Sequence, residues 1–195
     1  VDHGADATTV TAEPDEGYHF ISWSDGVLTA ERTDSDVQAD LNVTATFAIN
    51  QYTLTYTADS NGTISGTTPQ TVDHGLDATT VTAVADEGYH FVSWSDGVLT
   101  AERTDDNVLA DLNVTATFAI NQYTLTYTAD SNGSISGTTP QTVDHGSDAS
   151  TVTAVPDEGY HFVSWSDGVL TAERTDTNVL ADLNVTATFA INQYT

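Results

Sequence analysis

From Gln51 the chain alternates large apolar residues with threonine, Tyr52-Thr53-Leu54-Thr55-Tyr56-Thr57, the period-two pattern of a strand with one buried face. Tyr52, Leu54 and Tyr56 fall on the inner side. The following Asp59-Ser60-Asn61-Gly62 is a turn signal in which Asn-Gly offers positive φ, so Thr63-Ile64-Ser65 is expected to return as the second arm of a hairpin. Gly66 to Pro69 interrupts the chain, and Gln70 to His74 is expected to be a short extended piece. Thr79-Thr80-Val81-Thr82-Ala83-Val84 is dense in β-branched residues and predicts another strand.

An Asp86-Glu87-Gly88 turn leads into Tyr89-His90-Phe91-Val92-Ser93-Trp94, which is apolar on both faces. It predicts either a central strand or a strand with a bulge near Ser93. Strict alternation would put His90 beside Val92 and Trp94, and His74 in an exposed turn. Val98 to Leu112 reads as a loop with short extended pieces, because Ala101-Glu102-Arg103 lacks the length and period of a stable helix. Val114-Thr115-Ala116-Thr117-Phe118-Ala119-Ile120 alternates again, with Val114, Ala116, Phe118 and Ile120 on one face. Five or six short strands and almost no helix are expected.

The pattern repeats. Trp23, Trp94 and Trp165 recur at one fixed spacing, and Arg32, Arg103 and Arg174 recur at the same spacing. Segments 51–121 and 122–192 are identical except at Thr63/Ser134, Leu76/Ser147, Thr79/Ser150, Ala85/Pro156 and Asp106/Thr177. The expected division is a partial repeat at 1–50 that lacks the equivalent of 51–71, full repeats at 51–121 and 122–192, and the start of a further one at 193–195. A unit of this size is near the lower limit for independent folding, so its few aromatic residues must carry much of the core. The junction from Phe118 to Thr124 contains neither Gly nor Pro, so successive units should meet at a fairly fixed angle, as in an elongated rod.

The residues from Gly88 to Gly97, preceded by Thr80-Val81-Thr82-Ala83 and followed by Leu112-Asn113-Val114-Thr115-Ala116-Thr117-Phe118, resemble the divergent internalin-type B-repeat. That likeness extends over every unit. It implies a mainly β fold, a tandem array of small all-β domains that are short-stranded sandwiches or β-grasp-like bodies. It further implies a setting in large bacterial surface and secreted proteins, and it brings no catalytic residues with it.

Charge narrows the partners. Twenty-nine acidic residues against three arginines and no lysine give a net charge of −26, which argues against nucleic acid and anionic membranes as partners. No apolar run approaches the roughly 20 residues that span a bilayer, so no membrane insertion of this segment is expected. The chain has no cysteine, and without lysine an intramolecular isopeptide bond is excluded. A Thr–Gln ester crosslink is open chemically but no spacing supports it. The triplets Asn42-Val43-Thr44 and Asn61-Gly62-Thr63 fit the N-glycosylation pattern, one that arises readily in a Thr-rich chain.

No set of His, Asp and Ser/Thr has the spacing of a catalytic triad, so no enzyme and no catalytic or cofactor-binding residue is expected. A metal site on His74 and His90 lacks tight ligand spacing. Calcium is the stronger metal candidate, on the oxygen-rich stretches Asp59-Ser60-Asn61-Gly62, Asp96-Gly97 and Asp105-Asp106-Asn107, although none completes an EF-hand and turns use the same residues. Trp23, Trp94 and Trp165 could stack sugars; as strand residues among Tyr89, Phe91 and Val92 and their equivalents they are expected in the core instead.

Three functions follow as expectations. The first is a structural stalk or spacer outside a bacterial cell, each unit adding length. The second is multivalent adhesion to host or surface glycans or proteins. The third is head-to-tail self-assembly, in which another chain's strand completes the partial first repeat.

Overall fold

The computed structural model describes residues 1–194. Among them there is no helix; every regular element is a strand. The first block contributes β1 (Val10–Thr11), β2 (Tyr18–Trp23), β3 (Glu31–Arg32) and β4 (Ala45–Ile49). The second has β5 (Gln51–Ala58), β6 (Gly62–Ser65), β7 (Gln70–Asp73), β8 (Val81–Ala85), β9 (Tyr89–Trp94), β10 (Glu102–Arg103) and β11 (Leu112–Ile120). The third repeats these as β12 (Gln122–Ala129), β13 (Gly133–Ser136), β14 (Gln141–Asp144), β15 (Val152–Pro156), β16 (Tyr160–Trp165), β17 (Glu173–Arg174) and β18 (Leu183–Ile191).

The residues fall into two compact units. One comprises Val1–Ala58, Ile64–Ala83 and Ser93–Ala116; the other comprises Asp59–Thr63, Val84–Val92 and Thr117–Thr195. The second unit contains the whole third block, which therefore serves for a complete description.

In that block two sheets face each other. One has the order β14-β12-β18-β16 and the other β13-β15-β17. β12 and β18, the first and last strands of the block, lie side by side and parallel, with Leu125 opposite Leu183 and Ala129 opposite Ala187. This pair is the centre of the larger sheet. Its inner face carries Leu125, Tyr127, Val185, Ala187 and Phe189, all buried, and these pack with Val143, Val152, Ala154, Trp165 and Val179 into one core. The threonines between them face outward, which is why alternation alone locates both strands.

The expected hairpin does not form. Both edges of β12 are already paired, by β14 antiparallel and by β18 parallel, so β13 crosses to the other sheet and pairs with β15. In the second block β5 is flanked in the same way by β7 and β11. The Asp-Ser-Asn-Gly stretch is thus an arch between sheets. Its glycine is not there for positive φ: a side chain on Gly62 or Gly133 would overlap the ring of Phe118 or Phe189.

Of the two expectations for the Tyr-His-Phe-Val-Ser-Trp strand, a central strand or a bulged one, the second holds, since β16 lies at the edge of its sheet. Register shifts between Phe162 and Ser164 in β16, and between Phe20 and Ser22 in β2. One extra residue reverses the side on which the following side chains emerge. Trp165 therefore joins Phe162 on the inner side, with ring centroids 6.0 Å apart, while His161 and Val163 stay exposed.

Candidate functional site: the repeat joint and the arginine clasp

Each block contains one arginine, and the fold uses it. Arg103, from the two-residue strand β10, is 8% exposed. Its Nη1 and Nη2 donate to Asp96 at 3.2 and 3.0 Å, and its Nε and Nη2 donate to Asp105 at 3.0 and 2.5 Å. The guanidinium lies 5.1 Å from the Trp94 ring centre and 5.7 Å from that of Tyr56. Tyr56 closes the cluster by donating its hydroxyl to Asp105 at 2.7 Å. Arg174 reproduces the arrangement with Asp167, Asp176, Trp165 and Tyr127, and Arg32 holds Asp25 and Asp34 over Trp23. Two parallel forks onto carboxylates demand arginine rather than lysine.

The clasp sets local titration. The hydrogen bond from Arg103 holds the Asp96 carboxyl below the ordinary carboxylate range, against the opposing effect of its partial burial; Arg174 does the same for Asp167 and Arg32 for Asp25. Burial, and then the bond to Asp105, pushes the Tyr56 phenol well above its usual range, and Tyr127 follows for the same reasons.

A carboxyl whose folded pKa is depressed contributes stability that is complete above its unfolded pKa and is lost as pH falls through the folded one. The clasps should therefore hold down to about pH 4, near the free carboxyl value, and fail below it. From neutral pH down to that point stability should stay level or rise, since protonating other carboxylates relaxes the self-repulsion of an acidic chain. Urea midpoints measured across pH test this, with Asp96→Asn and Asp167→Asn expected to flatten the acid limb.

The second site is the boundary between blocks. A single residue, Asn121, separates β11 from β12. Its N–H donates to the Gly88 carbonyl of the preceding block at 2.8 Å, and its carbonyl accepts from the His145 N–H of the following block at 2.8 Å. Its side-chain Oδ1 accepts from His90 Nδ1 at 2.8 Å. The His145 imidazole lies on Gly88, where a Cβ would overlap the ring, and its Nδ1 is hydrogen bonded to the Tyr123 hydroxyl at 3.2 Å. Gly88 is buried at φ +82°. The preceding boundary has the same parts: Asn50 between Gly17 and His74, His19 on the Asn50 side chain at 2.7 Å, and Tyr52 at 3.3 Å from His74 Nδ1.

Several sequence candidates are relocated by these contacts. His74 is half-buried beneath Gly17 rather than lying in an exposed turn, because the Asp73-His74-Gly75 corner is folded against the preceding block. His74 and His90 are not brought together: the first meets Tyr52 and the second meets Asn121. Among the described residues neither ring is hydrogen bonded to a carboxylate or to a serine or threonine hydroxyl, and no three His, Cys, Asp or Glu side chains are placed to hold a metal ion.

The oxygen-rich stretches are engaged by protein donors. Asp59 accepts from the N–H groups of Asn61 and Phe118, and Asp96 and Asp105 accept from Arg103. Trp94 and Trp165 are each 1% exposed, with their indole N–H groups donating to the Thr100 and Thr171 carbonyls, so they are core residues and no sugar platform. The arginine clasp is absent from the sequence-based expectations; its signal is an arginine standing alone once per block, with one aspartate before it and one after at constant offsets, as in Asp96, Arg103 and Asp105.

The profile of the divergent InlB B-repeat domain matches residues 1–51, 52–122 and 123–193. A protein of Evansella cellulosilytica named "Putative membrane protein" is 26% identical over 175 residues; the match covers 85% of this chain but only 26% of that relative's length. A solved pair of Streptococcal High Identity Repeats in Tandem (SHIRT) domains from a cell surface protein aligns over 73% of this chain and 98% of its own at 13% identity, with a TM-score of 0.25. No helix among the described residues is long and apolar enough to cross a membrane.

Proposed function

Because the chain belongs to the divergent InlB B-repeat family, we propose that it is a spacer segment of a bacterial surface or extracellular protein, a stalk in which each repeat contributes length and no chemistry. The observation that carries this reading is where the reactive side chains go. All three arginines are consumed in clasps inside the blocks, the tryptophans fill cores, and His19, His74, His90 and His145 are fixed at the two boundaries. A strong negative charge suits such a segment, because it keeps neighbouring stalks apart. The name of the Evansella relative is in keeping with display at a membrane.

A second reading, multivalent binding, has equivalent shallow hollows in its favour. One of about 420 Å³ is lined by Pro69, Gln70, Val72, Asp73, Leu76 and Asp77, and one of about 370 Å³ by Pro140, Gln141, Val143, Asp144, Ser147 and Asp148. Leu28, Leu99 and Leu170 are also largely exposed, one in each block. Arrays of one, two and three repeats probed against glycans and surface proteins separate the two. A spacer shows no binding at any copy number, whereas avidity would make binding climb steeply with copies.

A further inference from the structure

The histidine pattern is not explained by the fold of a block. A ring seated on a glycine of the block before it does nothing for the core of either. It does fill the space between them, and it does so identically at both boundaries: His74 on Gly17, His145 on Gly88. Three further tethers converge on the same place, namely the two backbone bonds of Asn50 or Asn121 and the imidazole bond to its side chain. The seated ring is itself held from behind by a tyrosine of the first strand of its own block.

We propose that this ring-on-glycine contact is a lock that fixes each repeat against the next. A glycine in one repeat and a histidine in the next, with the junction asparagine between them, are then the signature of a locked joint. The lock would operate in the same way wherever the array is displayed. Two features of the glycine must be separated to test it. Gly88 adopts positive φ, which any substitution would strain, and it also receives the ring. A control is at hand in Gly159, which has the same backbone conformation, φ +86°, and the same bond from the following asparagine, but among the described residues nothing within 4 Å of its Cβ position.

The experiment uses the full chain with Gly88→Ala, Gly159→Ala, His145→Ala and the Gly88→Ala/His145→Ala pair. Spin labels on Val92→Cys and Leu170→Cys, exposed positions on either side of the joint in a chain with no native cysteine, report the spread of distances across it. Exchange of the His145 amide reports the bond to Asn121. Gly88→Ala should broaden the distance distribution and speed that exchange at least about tenfold, a local opening rather than global unfolding. Gly159→Ala should leave both as in the parent. Adding His145→Ala to Gly88→Ala should bring protection of the residue-145 amide back to the level of His145→Ala alone, because the clash is gone and the backbone bond can re-form although the ring is still missing.

Equal effects of the two glycine substitutions would overturn the proposal, since strain at positive φ would then explain everything. An unchanged distribution in Gly88→Ala, or no recovery in the double variant, would overturn it as well. If Gly88→Ala unfolds a block, seen as loss of the Trp94 or Trp165 indole signals, His145→Ala alone decides. It alters no backbone requirement, so broadening supports the lock and a distribution like the parent's removes it.

Discussion

Arg174→Ala is expected to destabilise the third block by about 2–4 kcal/mol, a large share of what so small a domain has. The Arg174 side chain is 6% exposed, and those of its partners Asp167 and Asp176 are 33% and 24% exposed. Truncation leaves two carboxylates turned toward the same emptied space, and the core rings of Trp165 and Tyr127 lose the cation that covers them. A loss at the top of the buried-pair range, about 5 kcal/mol, is not expected, because both aspartates keep some contact with water, which screens their charge. Arg174→Lys should recover only part of the loss, since one ammonium cannot fork onto two carboxylates. Urea unfolding followed by the indole N–H signal of Trp165 measures this block without averaging over the others. A loss under about 0.5 kcal/mol, the level of an ordinary surface substitution, would show the clasp to be incidental.

What can be read in advance divides along a physical line. Alternation is a property of one strand and its buried face, so it locates Tyr52 to Thr57 and Val114 to Ile120 and identifies their buried residues Leu54, Tyr56, Val114, Ala116 and Phe118. Which strand lies beside which depends on contacts made elsewhere in the chain. Asn61-Gly62 looks the same to its neighbours whether it closes a hairpin or bridges two sheets, and only the capture of both edges of the first strand by β7 and β11 decides the matter.

The bulge is only half legible: a strand apolar on both faces can be central or bulged, and its place at the edge of a sheet decides for the bulge. The position of Trp165 relative to His161 is not legible, since a one-residue bulge inverts parity beyond it. The joint is invisible for a further reason. Gly88 and His145 belong to different blocks, far apart along the chain, and no local pattern connects them. Their recurrence at the period of the array is the only trace, and it is masked because almost everything else recurs too.

The tryptophan yields the other large effect. Trp165→Ala should cost about 3–5 kcal/mol, the range for deleting a buried aromatic side chain and leaving a cavity. The ring is 1% exposed, stands edge-on to Tyr127 at 6.0 Å, touches Phe162 at the bulge and carries Arg174 on its face. Its indole N–H ties the core to the Thr171 carbonyl of the long loop, at 3.0 Å. Trp165→Phe should therefore also lose stability, by about 1–3 kcal/mol for the carbonyl left unpaired and the volume removed. A tryptophan whose business was to stack on a sugar would behave otherwise, since its removal would abolish binding and leave the unfolding midpoint in place.

The two large effects should also fail to add. With Trp165 gone, the Arg174 guanidinium loses one ring it covers. Arg174→Ala in that background should then cost less than in the parent by about 0.5–2 kcal/mol, the range of a cation–π contact. Simple additivity in that double-mutant cycle would mean that clasp and core are independent, and that the single arginine of each block is held there by its carboxylates alone.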